Sequence, residues 1–164
     1  MIKIAHPDDT FSLPPGDHAE VVNLLNRLNM AFDFWDVEGM VQAFAVDAVV
    51  AHPRGDVRGR DELRAFLDDY RPLTVGVRRV QANHVIDVDH GGDVTVTSYN
   101  MLIRVARPGD AEAAAAATVY DAATGLPAIE MFSVVVDRLR RYTDLGWRIV
   151  HRDVPHTTRN PVLS

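Results

Sequence analysis

The stretch "RRVQANHVIDVDHGGDVTVTSYNMLIR", residues 78–104, decides the fold class. Two runs rich in Val, Ile, Thr and Tyr flank "HGGD" (90–93), a tight-turn composition, and each run alternates with a period of two. That pattern predicts two long strands, over 78–89 and 94–106, paired antiparallel. Simple alternation puts Arg79, Gln81 and Asn83 on one face of the first strand, with Val80, Ala82, His84, Ile86 and Val88 on the other. On the second strand Ser98 and Asn100 share one face, and Tyr99, Met101 and Ile103 the other.

Working toward the C-terminus, "IEMFSVVVDRLRRY" (129–142) and "GWRIVHRDV" (146–154) read as two further strands joined around "TDLG". The tail "PHTTRNPVLS" (155–164) is a poor element former. Between the strand pairs lies "RPGDAEAAAAATVYDAATGLPA" (107–128). Its alanines favour helix, while Thr118, Val119 and Tyr120 favour strand, and it reads as a lengthened hairpin connection.

Toward the N-terminus the period changes to that of a helix. From Ala19 to Trp35, residues Val21, Leu24, Leu25, Leu28, Ala31, Phe32 and Trp35 gather on one face. Asp17 is the expected N-cap, with Glu20 as its capping-box partner. A short second helix follows through "VEGMVQAFA" with Asp36 as its cap, then a strand at "AVVAH", then a helix over "GRDELRAFLDDYR" capped by Asp61 and ended by Pro72. Helices first and an antiparallel meander after them define an α+β domain whose curved sheet buries one face against the helices. The expected division is an N-terminal arm (1–16), a folded domain (17–155) and a C-terminal tail (156–164).

With 164 residues, 47% of them hydrophobic, the chain fits one domain with a real core. A net charge of −6 argues against nucleic-acid partners. The absence of cysteine excludes disulfides and thiolate chemistry, and the histidines show no close ligand spacing, so no metal is expected. No phosphate loop or dinucleotide fingerprint is present, and no cofactor is expected. No apolar run reaches membrane-spanning length, which points to a cytoplasmic protein with no membrane partner.

The chemistry-bearing candidates centre on "RLNMAFDFWDVEGM" (27–40). Asp36 sits at a helix–helix junction and reads as a cap. Asp33 falls in line with Asn29 and Asn26 at the edge of the Leu25, Leu28 and Phe32 face, with Met30 and Phe34 beyond. A carboxylate shielded between apolar surfaces suits proton transfer; a self-satisfied amide–carboxylate network is the alternative. His52 ends the first strand, where a cavity mouth would lie, and His151 is in register with Trp147 and Ile149. Either is a candidate second proton-transfer group. Asn83 is placed toward the cavity and His84 on the opposite, sheet-face or interface side. Asn29, Phe32, Trp35, Asn83, Asn100, Tyr120 and Phe132 are the candidate ligand contacts.

In their order and spacing, "FDFWDVEGMVQAFAVDAVVAHPRG", "GRDELRAFL", the 78–104 hairpin and "VVDRLRRYTDLGWRIVHRDV" resemble the NTF2-like superfamily, and within it the SnoaL-like branch. The resemblance implies a strongly bent sheet closed by helices around a conical apolar pocket, and dimerisation through the sheet. It implies no single reaction: similar folds serve as dehydratases, polyketide cyclases, isomerases, epoxide hydrolases, dioxygenase small subunits and non-catalytic binding modules. In scytalone dehydratase-like members a tyrosine and an aspartate match Phe32 and Asp33, and a histidine that pairs with the aspartate matches Arg79. This chain keeps the acid alone. An arginine at 79 offers a bidentate contact to Asp33 or to an anionic substrate group, but no proton shuttle near neutral pH. The resulting expectation is a cofactor-independent lyase or isomerase, dehydratase- or cyclase-like, acting on an apolar oxygenated or aromatic ligand. Asp33 would move the proton, Arg79 would orient it or hold an oxyanion, and the chain would be a homodimer. The alternative is a binding or assembly module in which Asp33 and Arg79 form a closed salt bridge.

Overall fold

A computed structural model describes residues 2, 4–6, 12–52, 55–71, 76–105 and 128–161. Three helices precede most of a six-stranded sheet: α1 (Pro15–Phe34), α2 (Val37–Gln42), β1 (Phe44–Val50), β2 (Val57–Arg58), α3 (Gly59–Tyr70), β3 (Val77–Val88), β4 (Val94–Arg104), β5 (Ala128–Tyr142) and β6 (Gly146–Arg159). Tyr120 and most of the alanine-rich connection lie outside the described residues, as does Pro72.

Helix α1 begins earlier than its capping signals suggest. Pro15 stands in the first turn, where its fixed φ suits a helix and its missing N–H costs nothing. Asp17 is therefore no cap: it accepts from Trp147 Nε1 at 3.2 Å and pairs with Arg141 at 3.1 Å, tying α1 to the sheet. At the other end Trp35 takes the left-handed conformation (φ 57°) that glycine usually supplies, and Asp36 N–H closes onto Ala31 O at 2.8 Å. The chain turns directly into α2, where Asp36 Oδ1 accepts from Gly39 N–H at 2.9 Å, as a cap should. At α3 the expected cap Asp61 lies inside the first turn; Glu62 reaches back to the Arg58 N–H instead, at 2.7 Å.

The sheet order is β2-β1-β6-β5-β4-β3. All neighbours are antiparallel except β1 and β6, which run parallel. The reading of residues 155–164 as a poor element former is corrected: β6 continues to Arg159, with His156 opposite Val134 and Arg159 opposite Met131. Backbone pairing with a long central partner overrides the weak propensity of that segment.

Of the register breaks between neighbouring strands, two bear on the candidate site. In β3 the pairing slips between Ala82 and Val85, with Asn83 at φ 55°. In β6 Leu139 faces Ile149 while the adjacent Arg138 faces His151, so one residue is extra. Each bulge reverses the side-chain parity beyond it. The core fills the space between the helices and the even positions of β4: Val21, Leu25 and Leu28 of α1 meet Leu67, Val94, Val96, Leu139 and Ile149, all essentially buried. Among the described residues no helix is long and apolar enough to cross a membrane.

Candidate functional site

Beyond this apolar core, α1 and the inner sheet face turn polar. Asp33, on the last turn of α1, lies against β3. Its Oδ1 is 3.1 Å from Arg79 Nη1, and both its oxygens accept from the Arg79 backbone N–H, at 3.2 and 3.1 Å. Each side chain keeps only 5% of its surface exposed. Shielding of Asp33 comes from β3, since Met30 and Phe34 on the far flank of α1 are exposed. The Arg79 guanidinium lies 4.6 Å over the ring of Phe32. From Phe32 an aromatic wall continues edge-on to Tyr70, which stacks on Phe66, and His52 sits 4.9 Å from the Phe66 ring.

One turn back along α1, buried Asn29 donates to Gln81 Oε1 at 2.5 Å, and Gln81 Nε2 donates to Ser98 Oγ at 2.6 Å. Asn100 lies opposite Gln81 on β4, facing inward with Ser98. Its Oδ1 is buried and has no hydrogen-bond partner among the described residues. Buried acceptors are nearly always satisfied, so this atom marks a place where a ligand or water completes the inner face.

Several expected site residues fall elsewhere. Asn83 is exposed at the β3 bulge and does not face inward. His151 is exposed on the outer face, because the β6 bulge turns Arg152 inward in its place. Phe132 is 39% exposed on the outer face, with its ring 5.2 Å from Tyr99. Trp35 closes α1 against the core beneath the Arg71 guanidinium. Asp33, Arg79, Phe32, Asn29, Asn100 and His52 remain on the inner side.

The same bulges bring inward two groups that strict alternation sends out. Arg152 chelates Asp137, Nε to Oδ1 at 2.6 Å and Nη2 to Oδ2 at 2.8 Å, and Asp137 is wholly buried. His84 turns inward beside them, its Nε2 buried without a partner among the described residues. Burial pushes the His84 pKa below the usual 6.5; Asp137 opposes that shift and His18 of α1 adds to it. The fold thus favours neutral His84, a stabilisation present above the unfolded pKa and lost as pH falls through the lower folded pKa. Thermal melts from pH 7.5 to 5 should therefore show wild type losing more stability than His84→Gln. Parallel pH profiles of the two would overturn this assignment.

The fold and the inner polar face define a small α+β cone with a candidate ligand site between α1, α3 and the sheet. A model of the SnoaL-like domain matches residues 16–153, and the chain belongs to that family. Sequence comparison finds no match among curated proteins. Among solved structures the chain is similar to a protein of unknown function with a cystatin-like fold from Nostoc punctiforme (TM-score 0.69, 22% identity, covering 93% of this chain and 98% of that one). It is also similar to ActVI-ORFA from Streptomyces coelicolor (TM-score 0.66, 22% identity, 84% and 95% covered). A third is a protein provisionally assigned as a scytalone dehydratase from Novosphingobium aromaticivorans (TM-score 0.63, 17% identity, 88% of each chain). At these identities the likeness is one of fold.

Proposed function

We propose that the cone binds a mostly apolar, oxygenated small molecule and moves a proton on it without a cofactor, as a lyase or isomerase does. The observation that carries this reading is the unpartnered Asn100 Oδ1 on the same inner face as the Arg79 guanidinium. Together they offer a ligand hydroxyl an amide acceptor and a second ligand oxygen a positive charge in a partly dry site. Asp33 is engaged by three donor contacts and so positions Arg79 rather than carrying the proton. His52, set among Phe66 and Tyr70, is the proton-transfer group in this reading. An enolate formed at its hands would develop charge toward Arg79.

A non-catalytic binding module is favoured by one observation, the nearly closed Asp33–Arg79 pair. The two readings separate on 1-tetralone, a bicyclic ketone with acidic protons beside its carbonyl. In D2O, proton exchange at that carbon followed by NMR should be accelerated at least tenfold by wild type and not by His52→Ala. Binding without acceleration would leave the module reading standing.

We also propose that the chain pairs with a second copy through the outer sheet face. Val80, Tyr99 and Phe132 cluster there, each about 40% exposed. Light scattering should report a dimer for wild type and half that mass for Phe132→Glu. A monomeric wild type would overturn the proposal.

A further inference from the structure

We propose that the far flank of α1 carries a second binding site, for a small amphipathic anion, separate from the cone. A groove of about 450 Å³ runs there between α1, α2 and the start of β6. Leu24, Leu28, Met30 and Phe34 supply an apolar wall, and Met30 and Phe34 stand 51% and 72% exposed with nothing packed over them among the described residues. Arg27 and Arg148 supply the polar end.

Arg148 makes this more than an apolar surface. Among the described residues its Nε is buried without a partner, and its one hydrogen bond there runs from Nη1 to the neighbouring Trp147 carbonyl, at 2.6 Å. No carboxylate pairs with it among the described residues. The charged group nearest in effect is another cation, Arg60, whose own guanidinium is spent on the Phe44 carbonyl at 3.0 and 2.6 Å. Burial and Arg60 both pull the Arg148 pKa down, the mark of a guanidinium short of negative charge. Arg27 likewise has no ion pair among the described residues. Asp36, the acid in the wall, turns its Oδ1 to the Gly39 N–H. A half-buried guanidinium without a counter-ion costs free energy that an incoming anion recovers. The neighbouring apolar wall then selects an anion with a hydrocarbon body over a bare one.

The groove and the cone touch α1 from opposite sides, so the two sites are separable by mutation. The probes are decanoate and decanol, which share a chain and differ in charge, titrated by calorimetry at constant pH. Decanoate should bind at least tenfold more tightly than decanol. Arg148→Met should remove that preference, Arg148→Lys should keep part of it, and Phe34→Ser should weaken both probes alike. Asp33→Leu/Arg79→Met, which empties the cone of that ion pair without stranding a charge, should leave the preference intact. Equal binding of the two probes, no binding of either, or indifference to Arg148→Met would overturn the proposal. So would loss of the preference in Asp33→Leu/Arg79→Met, which would assign decanoate to the cone. None of these outcomes depends on whether the cone is catalytic.

Discussion

Asp137→Ala is expected to lower the unfolding free energy by about 3–5 kcal/mol, the usual cost of removing one partner from a buried ion pair. Asp137 is fully buried at the centre of β5 and accepts from Arg152 through both oxygens, at 2.6 and 2.8 Å. The Arg152 side chain is 13% exposed and its guanidinium lies 5.7 Å over the Phe44 ring, so it has little water to fall back on. The penalty is mainly that of an uncompensated buried charge. Asp137→Ala combined with Arg152→Met should accordingly recover most of the loss, since the second change removes the stranded cation. Urea denaturation of wild type, both singles and the double closes the cycle. A cost under about 1 kcal/mol for Asp137→Ala would show that water reaches Arg152 and that the inner face is wetter than its burial indicates.

The same residues show where sequence reading succeeds and where it stops. Element order was legible because period and turn chemistry are local: the helical face of α1, the Asp36 cap and the "HGGD" turn all appear where the residues put them. The partnership of Asp33 with Arg79 was legible as well, though only through a resemblance, since nothing local links positions so far apart. The inner face of the sheet was not legible beyond the bulges. Alternation counts every residue as one step, and an extra residue in β3 or β6 leaves no strong composition signal. Asn83 is the partial exception, because asparagine tolerates positive φ better than most residues. That one signal, read as a bulge, would have reversed His84 and set aside Asn83 together. For His151 and Arg152 no such marker exists; only the pairing with β5 reveals the slip. Asp17 fails differently. It has the right type for a cap, but Pro15 starts the helix sooner, and a distant tryptophan claims the carboxylate.

The second large effect concerns the pair that the proposed chemistry depends on. Arg79→Met and Asp33→Ala should each cost about 3–5 kcal/mol, by the same argument of a charge left buried and unpaired. Here both side chains keep 5% of their surface, and Asp33 also takes the Arg79 backbone N–H. Asp33→Ala therefore strands a guanidinium and a peptide donor, whereas Arg79→Met leaves that N–H satisfied. Asp33→Ala should be the more damaging single change. In Asp33→Leu/Arg79→Met the charges are gone and the volume is refilled, so stability should return to within about 1–2 kcal/mol of wild type. The exchange of 1-tetralone protons should not return with it. A stable double variant without exchange assigns the pair to the reaction rather than to the fold. A stable double variant that still accelerates exchange would make the Asp33–Arg79 pair purely architectural and remove the oxyanion-holding role from Arg79.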